Sequence, residues 1–184
     1  MPAREGIYSF VYNRAKEGIT ESYFLSYLDI WLGHLPSWRV LQHCQFQDEY
    51  CYTADFTLIN DDLKLGVNLE IDEPYTLKDR TPIHLFEDRK YAFRDNFFLS
   101  LGFIVIRFAE YQIVKYPDNC CLYIVKILNQ FLDPNYEIPI PSTAQIFSIT
   151  NCQWQVKSWN RRESEVSAMN NVRELYLKPS GLIE

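Results

Sequence analysis

Two apolar segments that carry carboxylates at alternate positions constrain the fold of this chain most. They read YTADFTLI at 52–59 and GVNLEID at 66–72. Both have the length and the β-branched and aromatic content of strands. The turn-forming sequence Asn-Asp-Asp at 60–62 lies between them. The pattern predicts an antiparallel hairpin of two strands, at residues 50–59 and 64–72.

The alternation of side chains along a strand places the acidic residues. Asn68, Glu70 and Asp72 share one face of the later strand, and Asp55 lies on the earlier one. A turn centred on residues 62–63 sets Asp55 opposite Glu70, whereas a turn centred on 61–62 makes them diagonal neighbours. Either register leaves the two side chains about 5–7 Å apart.

Carboxylates within apolar strands are costly to desolvate unless something pairs with them or binds them. Asp55 and Glu70 therefore indicate a divalent metal site, and their oxygen-only ligand set favours Mg²⁺ or Mn²⁺. Without a metal, repulsion between the two carboxylates should raise the pKa of at least one of them.

The rest of the chain predicts an α/β fold, in which a central mixed β-sheet is flanked by helices. Apolar spacing and capping residues predict the remaining elements. The helices are expected at 20–32, 88–101, 119–131 and 158–176, and the strands at 38–46 and 103–108. We expect residues 1–132 to form the core and residues 133–184 to form a linker and a C-terminal helical extension packed on it.

Charge and composition exclude some classes of protein. The 184-residue chain has a net charge of −6, so it lacks the overall basic surface of a protein that coats nucleic acid. Its 16% aromatic content argues against disorder. The sequence has no apolar run of bilayer length and no signal-peptide segment at its start. These features predict a cytoplasmic protein with no membrane partner.

The cysteines favour a reduced compartment. The five are Cys44, Cys51, Cys120, Cys121 and Cys152. An odd number without a secretion signal indicates free thiols. Cys44 and Cys51 could bind zinc together with His43, but no Cys-x-x-Cys pair supports this. The favoured interpretation is that these are small buried side chains.

An ordered series of short motifs between residues 20 and 114 resembles a known superfamily. The motifs are Glu21, Gln45 (or Gln42), Ala54-Asp55-Phe56, Leu69-Glu70-Ile71-Asp72, His84, Asp88-Arg89, Phe97-Phe98, Gly102 and Val105-Ile106-Arg107-Phe108. In this order they resemble the PD-(D/E)XK superfamily of restriction-endonuclease-like nucleases. Within it, they are most similar to the small very-short-patch-repair (Vsr-like) endonuclease families.

The resemblance implies a role for each matching residue. Asp55 and Glu70 would be metal ligands, and the backbone carbonyl of Ile71 would complete the protein ligand set. Glu21 would face the metal through water, and Gln45 would orient the first helix or contact a phosphate. When bound, the metal would activate a water molecule and stabilise the charge that develops on the phosphate.

One position departs from the superfamily pattern. Asp72 stands where the superfamily usually has a Lys two residues after the Glu, so another group must assist the nucleophile or the leaving group. His84 is the match to the subfamily pattern, and Lys78 and Lys64 are the alternatives.

The remaining basic residues have structural interpretations. Arg107 is expected to form an ion pair with Asp72 or Asp88, or else to reach a phosphate. Arg94 is expected on a solvated helix face. In the tail, Trp154 and Trp159 are expected to pin the last helix to the core, although the neighbouring basic residues could also form a nucleic-acid surface. These basic residues are Lys157, Arg161, Arg162 and Arg173.

The sequence thus predicts a Mg²⁺-dependent endonuclease that cuts DNA in defence, repair or a mobile element. One alternative is a catalytically inactive protein of the same fold that binds nucleic acid or a partner. Another is the cleavage subunit of a transposition or defence complex. A partner protein at the C-terminal extension and a homodimer are both compatible with the sequence.

Overall fold

A five-stranded mixed sheet forms the centre of the molecule. The computed structural model describes residues 10–12, 18–46, 52–133, 137–148 and 159–184. The strands are β1 (Phe10–Tyr12), β2 (Trp38–Phe46), β3 (Thr53–Asn60), β4 (Leu65–Asp72) and β5 (Ile104–Ala109), and they lie in chain order across the sheet. The first four are antiparallel, and β5 runs parallel to β4. The predicted α/β class is confirmed.

Helices cover both faces of the sheet. They are α1 (Glu21–Leu32), α2 (Arg89–Ser100), α3 (Glu110–Lys115), α4 (Pro117–Leu128), α5 (Arg161–Met169) and α6 (Val172–Leu177). The connection from β4 to β5 contains α2, because a parallel pair needs a crossover rather than a tight turn. Within the described ranges, no helix combines the length and the apolar character that crossing a membrane would require.

The apolar core divides between the two faces. Leu69, Ile71 and Ile106 belong to the larger cluster, which packs the sheet against α1 and α4. A smaller cluster under α2 includes Phe98 and Phe103. The polar side chains of β3 and β4 point toward this second face, since they alternate with the residues of the larger cluster.

The hairpin prediction is confirmed, including one of its two registers. Asn60 pairs with Leu65 and Phe56 with Leu69, so the turn is centred on residues 62–63. Continued by one position, this register sets Asp55 opposite Glu70. The predicted strand at 38–46 matches β2. The start of the predicted strand at 50–51 lies outside the described residues.

Several predicted helix boundaries were wrong for local reasons. The helix predicted at 119–131 begins at Pro117, because proline suits the first helical turn. The single helix predicted at 158–176 is two helices, because Asn171 adopts a left-handed conformation with φ +53° and ends the first of them. The short strand β1 and helix α3 were not predicted.

Candidate functional site

A row of polar residues crosses four neighbouring strands near the ends of β3 and β4. Gln42 pairs with Phe56 and Cys44 with Ala54, so His43 lies across from Asp55. The hairpin pairing ends at Phe56 and Leu69, and the next position along it is Asp55 beside Glu70. Glu70 in turn pairs with Arg107 on β5. Strand pairing alone therefore brings His43, Asp55, Glu70 and Arg107 into line.

His43 changes the alternation of β2 and connects it to α1. Its backbone φ angle of +52° is uncommon for a residue other than glycine. After it, Cys44 and Phe46 turn into the cluster beneath α2. The His43 Nε2 atom contacts the Glu21 carboxylate. Glu21 also accepts hydrogen bonds from the Gly18 amide at 2.7 Å and from Gln42 Nε2 at 3.4 Å.

These contacts refine two sequence predictions. Glu21 does project from the first helix toward the row, where its charge contributes to raising the pKa of Asp55. The glutamine that orients Glu21 is Gln42, which was the alternative choice. Gln45 pairs with Thr53, two positions along the strand from the His43–Asp55 pair.

Asp55 and Glu70 are held close together with too little compensating charge. Glu70 is fully buried, and Asp55 is half-buried and accepts a hydrogen bond from the Ile71 amide at 2.8 Å. Burial and then the charge of Asp55 raise the pKa of Glu70 to about 8. Burial also raises the pKa of Asp55 to about 6, although Arg94 opposes the shift. The predicted pKa elevation is thus found on both carboxylates.

Arg94 is a site residue that sequence reasoning placed wrongly. Its Nη2 atom lies 2.8 Å from Glu70 Oε1 and 2.6 Å from Oε2, and it also donates to the Thr53 carbonyl. The side chain is only 16% exposed, so it is not on a solvated helix face. The available signal was its spacing of four residues from Phe98, a buried residue on the same side of α2.

Asp72 has a different environment from Asp55 and Glu70. Arg107 binds it through two nitrogens, with Nε 2.9 Å from Oδ2 and Nη2 2.5 Å from Oδ1. The predicted ion pair of Arg107 with Asp72 is confirmed, and its second partner is Asp95 at 2.8 Å rather than Asp88. Burial opposes the shift, but His84 and Arg107 together lower the pKa of Asp72.

His84 lies between two carboxylates. Its Nδ1 is 2.8 Å from Asp72 Oδ1, and its Nε2 is 3.0 Å from Glu73 Oε2. Burial alone would lower the pKa of His84, but these two neighbours raise it to about 10. The ring also stacks on Tyr91, with the ring centroids 5.1 Å apart. In this arrangement His84 is a protonated cation at neutral pH.

The two lysines considered as alternatives are exposed. Lys78 lies in the turn at 77–79. Lys64 lies in the hairpin turn, six residues before Glu70 along β4, which corresponds to about 20 Å of extended strand. Lys64 is therefore at the opposite end of the hairpin from the carboxylate pair.

The donor set suits a two-carboxylate metal site. Over the part of the chain that the structure describes, no three His, Cys, Asp or Glu side chains converge as a metal-binding group. Asp55 and Glu70 supply oxygen atoms only, and Mg²⁺ is usually bound by one or two carboxylates while it keeps several waters. The pair therefore fits Mg²⁺ or Mn²⁺ better than it fits zinc.

The three thiols within the described residues contribute no ligand to this site. Cys44, Cys120 and Cys121 are free and buried, as the interpretation of small buried side chains predicts. The other two cysteines, at 51 and 152, lie outside the described residues. His43, the third member of the zinc alternative, binds Glu21 instead.

A second buried charge cluster fixes the C-terminal helices. Arg173 Nε and Nη2 each lie 2.6 Å from an oxygen of Glu110, and Nη1 donates to the Tyr75 carbonyl at 2.6 Å. The Tyr176 hydroxyl donates to Glu110 Oε2 at 2.7 Å. The Ser164 hydroxyl also contacts the backbone just before Tyr75. Helices α5 and α6 thus hold the loop that begins directly after Asp72.

Comparisons with protein-family models, curated proteins and solved structures gave no match. The fold and the site define the chain as an α/β protein that holds a buried glutamate beside a half-buried aspartate on a mixed sheet.

Proposed function

We propose that this protein is a metal-dependent endonuclease with a restriction-endonuclease-like core, and that it hydrolyses phosphodiester bonds in DNA. The supporting observation is the Asp55–Glu70 pair. The buried carboxylate of Glu70 lies beside the half-buried one of Asp55, both have a raised pKa, and a single guanidinium is the only cation in contact with either of them among the described residues. A divalent metal would neutralise this excess negative charge.

Each site residue has a defined task in this proposal. Asp55 and Glu70 hold Mg²⁺ or Mn²⁺, with the Ile71 carbonyl as a further ligand. The Ile71 amide fixes the Asp55 carboxylate at 2.8 Å, so it orients a ligand. Glu21 approaches the same row through His43. When bound, the metal supplies a water of lowered pKa and a Lewis acid for the scissile phosphate.

Asp72 anchors the site in this proposal instead of binding the metal. Its two oxygens are already taken by Arg107 and His84. This arrangement explains how a carboxylate can occupy the superfamily's Lys position without adding a third negative charge to the metal pair. His84 then supplies positive charge beside the site.

The second candidate is a nuclease fold that binds nucleic acid or a partner without cutting. It is favoured by the Arg94 guanidinium, which already binds Glu70 where a catalytic metal would do so. A cleavage subunit that becomes active only within a transposition or defence complex is a third possibility. Metal binding by the isolated chain separates the inactive fold from the other two.

Cleavage of supercoiled plasmid DNA with Mg²⁺ or Mn²⁺ tests the proposal. We expect Asp55→Asn and Glu70→Gln each to reduce the rate by about 100-fold or more, since a metal contributes several kcal/mol to the stabilisation of the transition state. Asp61→Asn is the matched control, because Asp61 pairs with Arg39 on the exposed tip of the same hairpin. Equal cleavage by all variants would refute the site.

A further inference from the structure

We infer that Arg94 is a resident counter-ion of the carboxylate pair, and that a divalent metal competes with it and displaces its side chain from Glu70. The inference rests on the proposed metal site. It adds that metal binding is coupled to a movement of one side chain on α2.

Arg94 is held through one nitrogen, Nη2, which contacts Glu70 and also donates to the Thr53 carbonyl. Only Nη2 contacts Glu70, and it lies near both carboxylate oxygens. The Nε atom is buried and has no acceptor among the described residues. Arg107 and Arg173, by contrast, each bind a carboxylate through Nε and Nη2 together. Two-nitrogen binding is the stronger and more specific geometry.

Arg94 and a metal would compete for Glu70. The Nη2 atom lies 2.6 Å and 2.8 Å from the two oxygens, so it is close to both of them. Mg²⁺ binds carboxylate oxygens at about 2.1 Å. Two cations at such distances from one carboxylate would repel each other strongly. This repulsion therefore favours departure of Arg94 when the metal binds.

Charge balance favours this exchange. Arg94 brings one positive charge to two carboxylates, and Asp55 takes its hydrogen bond from the Ile71 amide instead. A divalent ion matches the charge of the ionised pair. The side chain of Arg94 is 16% exposed, so its long apolar stem can carry the guanidinium outward to solvent.

Titration with MnCl₂ alone, followed by calorimetry, tests the inference. The measurements compare the wild type with Arg94→Gln, Arg94→Met and the control Arg89→Gln, which changes an exposed arginine on the same helix. A pH of 8.5 is suitable, because the pKa of Glu70 is about 8. We expect both Arg94 variants to bind Mn²⁺ about 10-fold more tightly, since a charged hydrogen bond no longer competes. Arg89→Gln should match the wild type.

The outcomes separate the inference from the function. Unchanged or weaker Mn²⁺ binding by folded Arg94→Gln and Arg94→Met, with measurable binding by the wild type, refutes the displacement alone. An absence of binding in the wild type and in both Arg94 variants refutes the metal site, and the displacement with it. Tighter binding by either folded variant, lost when Glu70→Gln is added, supports both.

Discussion

This protein has two buried glutamates that each face an arginine. One of them has a full set of hydrogen-bond and charge partners, and the other does not. Glu110 receives Arg173 through two nitrogens at 2.6 Å and a tyrosine hydroxyl at 2.7 Å. Glu70 receives a single nitrogen of Arg94 and has a second carboxylate, Asp55, beside it. Both glutamates are 0% exposed, so burial does not distinguish them.

The comparison shows what separates a structural ion pair from a candidate binding site. The difference is whether the buried carboxylate has enough hydrogen-bond donors and positive charge around it, and not how deeply it is buried. A buried ion pair contributes to stability only when its remaining donors and acceptors are also matched. The Glu110 cluster meets this condition and joins α6 to α3 and to the Tyr75 backbone. The Glu70 pair does not meet it, which leaves the pair able to accept a ligand.

The largest expected effect comes from breaking the complete cluster. Arg173→Ala leaves Glu110 buried without its partner, so we expect the free energy of unfolding to fall by about 3–5 kcal/mol. Arg94→Gln should cost less than about 1 kcal/mol, because Glu70 can take up a proton instead. Urea denaturation at pH 7 measures both. A loss for Arg94→Gln as large as that for Arg173→Ala would overturn the comparison.

A smaller effect is expected from pH on the metal-free protein. The folded pKa values of Glu70 and Asp55, about 8 and about 6, lie above the ordinary values of 4.5 and 3.8. The native state therefore keeps protons that the unfolded chain releases, and stability falls as pH rises through this window. The raised pKa of His84, about 10, acts in the same direction between pH 6.5 and 10.

Thermal or urea denaturation between pH 5 and pH 9 in a chelating buffer measures this effect. We expect the free energy of unfolding to fall as the pH rises across this range, because the folded protein binds more protons at these three groups than the unfolded chain does. Asp72 acts in the other direction, because its lowered pKa contributes stability that is lost only in acid. Glu70→Gln should flatten the curve, and a profile unchanged by that substitution would contradict the assignment to Glu70.

Within the Glu110 cluster, a smaller effect is expected from a substitution that leaves the Arg173–Glu110 ion pair intact. Tyr176→Phe removes one hydrogen bond to Glu110 and should cost about 1 kcal/mol. The same substitution in an Arg173→Ala background should have a different cost, because residues of one network are not additive. Strict additivity in this double-mutant cycle would show that the hydroxyl and the guanidinium act independently.

The sequence predicted the features that depend on local periodicity. Strand alternation and the Asn-Asp-Asp turn were enough to set Asp55 beside Glu70. Arg94 could not be placed in this way, because its role depends on how α2 lies over the sheet. The Arg173–Glu110 pair spans 63 positions, and no local pattern reports it.

The residues with a positive backbone φ angle were also difficult to predict from the sequence. The φ of +52° at His43 shifts the residues after it to the other face of β2. Histidine adopts this conformation only uncommonly, so no residue type marked the position. Asn171 carried a clearer signal, because asparagine tolerates the left-handed region and often ends helices.

The bonds between the C-terminal helices and the loop after β4 also determine the order in which the chain can assemble. The Arg173 amide donates to Tyr75 across 98 positions, and Tyr75 donates to Glu174 across 99. During synthesis the sheet emerges first, at about 5–20 residues per second. The loop carrying Glu73 and His84 therefore gains these supports only several seconds after the sheet has been synthesised.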